Sequence, residues 1–201
     1  MNPNGYFVAI ESLDGVGKST LVANLARTLG AVLMSTPGPL LRPHMGELLA
    51  PIIDDQLARA ILYASAVVRE GQLARASAAA GKLVVMDRYW LSTISYARAR
   101  GVAIDLSDLE SKIPRPDLTL LLTLDEDERV RRLDGRGDAT AADIETLDPT
   151  FRTTVLTEML LPHRVQAFNV VTVDVTGLSP AQLTAKVAAV IVESWLHRSV
   201  A

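Results

Sequence analysis

The amino-acid sequence predicts an α/β fold: a five-stranded parallel sheet flanked by helices on both faces. Three observations predict it. Five short apolar runs of β-forming residues alternate with helix-like patterns. The runs are continuous rather than alternating with polar residues, as strands covered on both faces require. A glycine-rich turn ending in Lys-Ser-Thr follows the first run and opens the first helix.

Residues 6–10 read as the first strand. Residues 18–29 read as the first helix, with Leu21, Leu25 and Leu29 recurring every four positions. Residues 31–34 form a second strand, ended by Ser35, Thr36, Pro37, Gly38 and Pro39. One long helical pattern covers residues 54–80, with Asp54 as N-cap and Gly81 as stop. Residues 82–86 are a third strand, and residues 89–100 a helix closed by Gly101. Pro114 and Pro116 precede a fourth strand at residues 118–124, and a helix follows over residues 126–133. A polar, glycine-bearing interruption at residues 134–140 precedes a helix over residues 149–168. A fifth strand at residues 170–175 and a last helix at residues 180–196 complete the pattern. No repeat, low-complexity tract or linker-like stretch divides the chain. Residues 1–201 are therefore expected to form a single domain with right-handed crossovers.

The chain has 201 residues, 49% of them hydrophobic and 21% charged, which leaves ample material for a core. Its formal charge of −3 makes neither nucleic acid nor an anionic membrane an expected partner. Cysteine is absent, which excludes disulfides, zinc-thiolate sites, iron–sulfur clusters and thiol nucleophiles. Aromatic residues make up 4%, too few for a platform that stacks single-stranded nucleic acid. The first residues carry no positive charge, and the apolar run behind them stops at Glu11. No stretch approaches the length of a membrane span. A cytoplasmic location is expected.

Asp14, Gly15, Val16, Gly17, Lys18, Ser19 and Thr20 stand between the first strand and the first helix, the context a phosphate-binding loop requires. Backbone N–H groups at the start of a helix form an anion cradle. Gly15 and Gly17 let the chain curl there without Cβ clashes. Ser12 occupies a position where the full pattern has glycine. Lys18 can reach the β- and γ-phosphates, and the Ser19 hydroxyl can sit on Mg²⁺, so ATP with Mg²⁺ is expected. This assigns the P-loop NTPase fold. Asp87 closes the third strand on the same sheet edge, where it can orient the water shell of Mg²⁺. Arg88 beside it can clamp an acceptor phosphate or neutralise charge in flight. An Asn-Lys-x-Asp base-reading motif is missing, as is an Asp-x-x-Gly switch after the third strand, which argues against a regulatory GTPase. A small kinase with an acceptor pocket and a mobile lid remains.

Residues 7–20 resemble the phosphate-loop signature of the thymidylate kinase family, including the aspartate before the glycine. Asp87-Arg88-Tyr89-x-x-Ser92-x-x-Ser95-Tyr96 is similar to that family's second signature. Arg115-Pro116-Asp117-Leu118-Thr119-Leu120 and the acidic helix to Arg132 are similar to its fourth-strand region. The resemblance implies that Asp14 faces the acceptor's sugar 3′-hydroxyl and that Arg88 holds its phosphate. It implies that Tyr63 stacks on the base, that Thr93 lies at a base edge, and that Tyr96 crowds the sugar 2′ carbon. It places a lid at about residues 134–143, with Arg132 and Arg136 as its phosphate contacts. Asp14, Lys18, Arg88, Arg132 and Arg136 are then the expected catalytic set. A homodimer through the alanine-rich face of residues 58–80 is likewise implied, while a long helix with that much alanine could equally be internal.

Two departures bear on the acceptor. Family members carry an arginine just after the second strand, where this chain has Met34-Ser35-Thr36-Pro37-Gly38; Arg42 is the candidate substitute. The family's base-reading arginine, four residues after the aromatic, is replaced by Val67. Arg69, two positions on, lies about 200° round a helix and faces elsewhere. The expected reaction is phosphorylation of a (deoxy)nucleoside monophosphate by ATP, with altered base specificity. A kinase for the hydroxyl of a nucleoside or modified nucleoside, and a non-catalytic nucleotide-binding protein, are the alternatives.

Overall fold

The computed structural model describes residues 5–135 and 141–198. Five parallel strands form one sheet in the order β2-β3-β1-β4-β5. They are β1 (Tyr6–Ser12), β2 (Val32–Ser35), β3 (Leu83–Asp87), β4 (Leu118–Thr123) and β5 (Val170–Asp174). The central strand β1 is buried at every position. Its side chains alternate between two cores, as a pleated strand requires. Phe7 and Ala9 join Val84, Met86 and Leu121 under α3 (Gln56–Ala79), α4 (Trp90–Ala99) and α8 (Pro149–Met159). Tyr6, Val8 and Ile10 join Val85 and Leu120 under α1 (Lys18–Leu29) and α10 (Pro180–Arg198), which contribute Leu21, Leu25, Val187 and Ile191. Register follows the same alternation, with Phe7 opposite Val84 and Ala9 opposite Met86. The outer strands are less covered: β2 has no buried residue, and in β5 only Val173 is buried.

Several expected boundaries shift for physical reasons. The long helix α3 is capped by Asp55 rather than Asp54; the Asp55 carboxylate accepts from the Ala58 N–H at 2.9 Å. The helix expected over residues 149–168 is two helices, α8 and α9 (Pro162–Ala167). Pro162 lacks an N–H and its ring excludes continuation of α8. The short helices α2 (Met45–Leu49), α5 (Ser107–Lys112) and α7 (Ala141–Glu145) were not expected; each is too brief to show a helical period. The chain between α6 (Glu126–Asp134) and α7 includes residues 136–140, so Arg136 and half of the expected lid lie outside the described residues. Among the described residues no helix is long and apolar enough to cross a membrane.

Because all strands are parallel, their carboxyl ends share one edge. Ser12, Ser35, Asp87, Thr123 and Asp174 end there, and the loop after β1 opens over it.

Candidate active site

The loop after β1 turns tightly enough to need glycine twice. Gly15 and Gly17 have φ of 91° and 90°, in the left-handed region. At Gly15 space is also short: a Cβ would lie 2.9 Å from Leu133 Cγ and 3.0 Å from Arg129 Cγ. Lys18 begins α1 with 7% of its surface exposed, while Ser19 and Thr20 face solvent on the first turn.

Two crossed ion pairs join this loop to the end of β3. Lys18 Nζ pairs with Asp87, and Arg88 pairs with Asp14. Burial lowers the Lys18 pKa from its ordinary value and Arg88 adds to that effect, against the opposing pull of Asp87 and Asp14. Arg88 is held at φ 62°, a strained conformation for a side-chain-bearing residue. Its N–H donates to Ile10 O at 3.0 Å, and its carbonyl accepts from Thr36 Oγ1 at 3.0 Å. Its Nη1 reaches Ser12 O and Ser92 Oγ, each at 3.3 Å. Backbone strain of this kind gathers at sites that need a fixed side-chain direction. Tyr96 completes the group by donating its hydroxyl to Asp14 Oδ2 at 3.0 Å. Burial and the Asp14 carboxylate push its pKa up, so the hydroxyl keeps its proton.

Three side chains that support this group were not singled out from the sequence. Glu11, fully buried at the end of β1, accepts from the backbone N–H of Tyr89 at 3.0 Å and of Ser92 at 3.2 Å, and from the Ser92 hydroxyl. It caps α4 from another strand, since Tyr89 at the N-cap position offers no side-chain bond of its own. Burial raises its pKa. Arg129, 1% exposed, donates to Asp14 O at 3.0 Å, to Thr146 Oγ1 at 3.0 Å and to Thr146 O at 2.8 Å. It also makes a two-point contact with Glu126 at 2.8 Å each. Arg100 donates to Glu145 at 3.0 and 2.5 Å. Contacts across 45 to 115 positions leave no local signal in a sequence.

A cavity of about 200 Å³ opens beside the ion pairs. Asp14, Arg88 and Ser92 line one part, and Thr36, Tyr63, Thr93, Tyr96 and Arg100 line the rest. Most residues expected at the acceptor therefore meet around one space. Two do not. Val67 is fully buried in the core under α3 and does not line the cavity, because its position on the helix faces the sheet. Arg42 is exposed on a short turn, donates to Pro37 O at 3.4 Å, and does not line the cavity either. Glu70 fills the ground between: it is 2% exposed, pairs with Arg69, and its carboxyl occupies the space a side chain at Gly38 would need.

On the donor side, Arg132 Nη1 donates to Val16 O at 3.1 Å, and Nη2 to Glu128 at 2.5 Å. Arg132 thus lies against the phosphate loop. Among the described residues there is no cluster of three or more His, Cys, Asp or Glu that could hold a metal ion. Ser19 and Asp87 offer one hydroxyl and one carboxylate. That sparse oxygen set fits Mg²⁺, which keeps several waters and relies on substrate phosphates.

The thymidylate kinase family model matches residues 10–177. A thymidylate kinase of Xanthomonas oryzae pv. oryzae is 34% identical over 148 residues, covering 69% of this chain and 65% of the relative. The match with that relative and its Xanthomonas neighbours thus spans slightly less than two thirds of their length. The solved structure of thymidylate kinase from Candida albicans superposes with a TM-score of 0.74 at 23% identity, over 96% of this chain and 94% of that one. The crystal structure of thymidylate kinase from Ehrlichia chaffeensis gives 0.64 at 21% identity, over 94% and 99%. These two likenesses concern the fold. The family model, which runs from within β1 past the end of β5 and takes in both crossed ion pairs, shows that the chain belongs to the thymidylate kinase family.

Proposed function

We propose that this chain is an ATP-dependent phosphotransferase that phosphorylates a (deoxy)nucleoside monophosphate. The observation that carries the reading is the pair of crossed ion pairs, Lys18–Asp87 and Arg88–Asp14, set at the carboxyl edge of the sheet between a phosphate loop and a cavity. Two cations so placed can hold a donor phosphate and an acceptor phosphate face to face. Phosphoryl transfer asks the protein mainly for alignment and charge neutralisation. A monophosphate oxygen is already anionic, so no general base is needed. Lys18 holds the donor's phosphates and Arg88 the acceptor's. Asp14, released from Arg88, is free to bind a sugar hydroxyl, and Tyr96 stays protonated beside it. Arg132 lies against the loop and, with Arg136, supplies further positive charge. Mg²⁺ would be held by Ser19 and Asp87 and would screen the phosphate charge.

We read residues 1–201 as one kinase domain with a lid at about 134–143, acting in the cytoplasm as a homodimer. The dimer surface is the exposed side of α3, where Ile61 is 54% and Leu57 39% exposed beside an apolar groove lined by Ala60, Ala64, Val68, Leu106 and Leu109. The deciding experiment is transfer from ATP to a panel of nucleosides and nucleoside monophosphates. Phosphorylation of a monophosphate is expected; ATP binding without transfer to any of them overturns the reading. A hydroxyl acceptor is the second reading. It is favoured by one observation: Arg88 is the only cation at the Asp14 end of the cavity among the described residues, since Arg42 points away. Phosphorylation of a nucleoside in preference to its monophosphate would select it.

A further inference from the structure

We propose that Arg100 is a specificity-determining residue of the acceptor site. It donates a hydrogen bond to a carbonyl oxygen of the base and, with Thr93, selects bases that present a ring N–H beside that carbonyl. This rests on the reading of the cavity as an acceptor-nucleotide site.

Ser92, Tyr96 and Arg100 recur every four residues, so they share one face of α4, and all three line the cavity. With a rise of about 1.5 Å per residue, Arg100 lies roughly 12 Å along the helix axis from Ser92. Ser92 is the residue that Arg88 touches. Both guanidiniums lie against the Tyr96 ring, Arg88 5.8 Å and Arg100 5.5 Å from its centre. An acceptor whose phosphate meets Arg88 extends its base toward Arg100.

The chemistry at that end is polarised in one sense. Arg100 gives Nε and Nη2 to Glu145, at 3.0 and 2.5 Å. Its guanidinium lies 5.5 Å from the Tyr96 ring centre and 5.9 Å from that of Phe151, which fixes its plane. Nη1 has no hydrogen-bond partner among the described residues. A guanidinium nitrogen can only donate. Because Glu145 balances its charge, Arg100 presents a donor without a net cation, which suits a neutral carbonyl rather than a second phosphate. Thr93 is the complement. Its hydroxyl spends its one proton on Tyr89 O at 3.0 Å, so toward the cavity it can only accept. A donor and an acceptor lining one cavity match a lactam edge, C=O next to N–H. An amidine edge, an amino group next to a bare ring nitrogen, would set donor against donor and lone pair against lone pair. Val67, buried in the core, supplies neither group. Glu145 ends α7, so the arginine that reads the base is held from the helix that follows residues 136–140.

The test is calorimetric binding of dTMP, dUMP and dCMP to the full chain and to Arg100→Met and Arg100→Lys, with melting temperatures recorded for each. The wild type is expected to bind dTMP and dUMP about tenfold or more tighter than dCMP, the range one polar contact commands. Arg100→Met should bring the three within about threefold, and Arg100→Lys should restore part of the gap. A folded Arg100→Met with the gap intact, or a wild type that prefers dCMP, overturns the inference. Should Arg100→Met fail to fold, the near-isosteric Thr93→Val carries the test: it must weaken dTMP and spare dCMP, and an unchanged ratio overturns the inference. A gap that depends on Arg100 without transfer from ATP removes the kinase reading and leaves this inference standing. Transfer to dTMP with a gap independent of Arg100 does the reverse. Failure of all three nucleotides to bind overturns both.

Discussion

Single side chains decide most of the chemistry at this sheet edge. Lys18 sits almost fully buried against Asp87. Lys18→Ala should lower kcat by about 10²–10³-fold, the scale of one preorganised electrostatic contact, as read by a coupled ADP-release assay. Asp87 left without its cation would also cost stability, so a melting curve accompanies the assay. Glu11 gives a prediction with a sign. Burial raises its folded pKa above the ordinary carboxylate value of 4.5. Its protonated form is therefore the one the fold prefers, and its contribution is full below the unfolded pKa and lost as pH rises through the folded one. Glu11→Gln keeps an oxygen for the Tyr89 and Ser92 amides and removes the titration. It should hold stability steady on going from acid to neutral pH where the wild type loses some. Glu11→Ala strips the cap of α4 and should cost about 1–3 kcal/mol at any pH. Urea unfolding across that pH range separates the two.

At the scale of elements, Arg129 connects three segments that are far apart in the chain. It rises from α6, holds the Asp14 carbonyl of the phosphate loop, and holds Thr146 just after α7. Its charge is met by Glu126 and stays buried. Arg129→Met should cost about 2–3 kcal/mol by leaving those carbonyls unmet. It should also weaken ATP binding, since Gly15 packs on the Arg129 stem. A urea midpoint and an ATP titration check both halves. The same elements show what a sequence can and cannot disclose. β1, α1, β3 and β4 were legible because burial on both faces writes a continuous apolar run or a four-residue leucine repeat. The phosphate loop was legible because its glycines and Lys18 are contiguous. α2, α5 and α7 were not, because five or six residues are too few to carry a period. Glu11, Arg100 and Arg129 each read as an ordinary charged residue, since the partners that tie them to the site lie on other elements. Val67, set by the resemblance where the family has its base-reading arginine, is buried in the core and does not line the cavity.

For the whole molecule, the sheet separates two half-machines. α1 and α10 cover one face, beside the loop proposed for the donor, and α3, α4 and α8 cover the other, beside the cavity proposed for the acceptor. The two meet only along the carboxyl edge, in the crossover order that a right-handed parallel sheet imposes. The outer side of the acceptor half keeps an apolar surface: Ile61 and Leu57 on α3, with Leu73 43% exposed further along the helix. Ile61→Glu should convert the proposed dimer to a monomer, seen as halved mass in light scattering after gel filtration. Retention of a dimer would mean that another surface joins the copies.

The crossed ion pairs have one further effect. Before any substrate arrives, each cation is already satisfied by a carboxylate, so an incoming anion must compete with that internal counter-ion. A lone orthophosphate or sulfate offers fewer contacts for that exchange than a nucleotide, which adds its sugar and base. On the proposed function, the exchange favours guests selected by size as well as by charge.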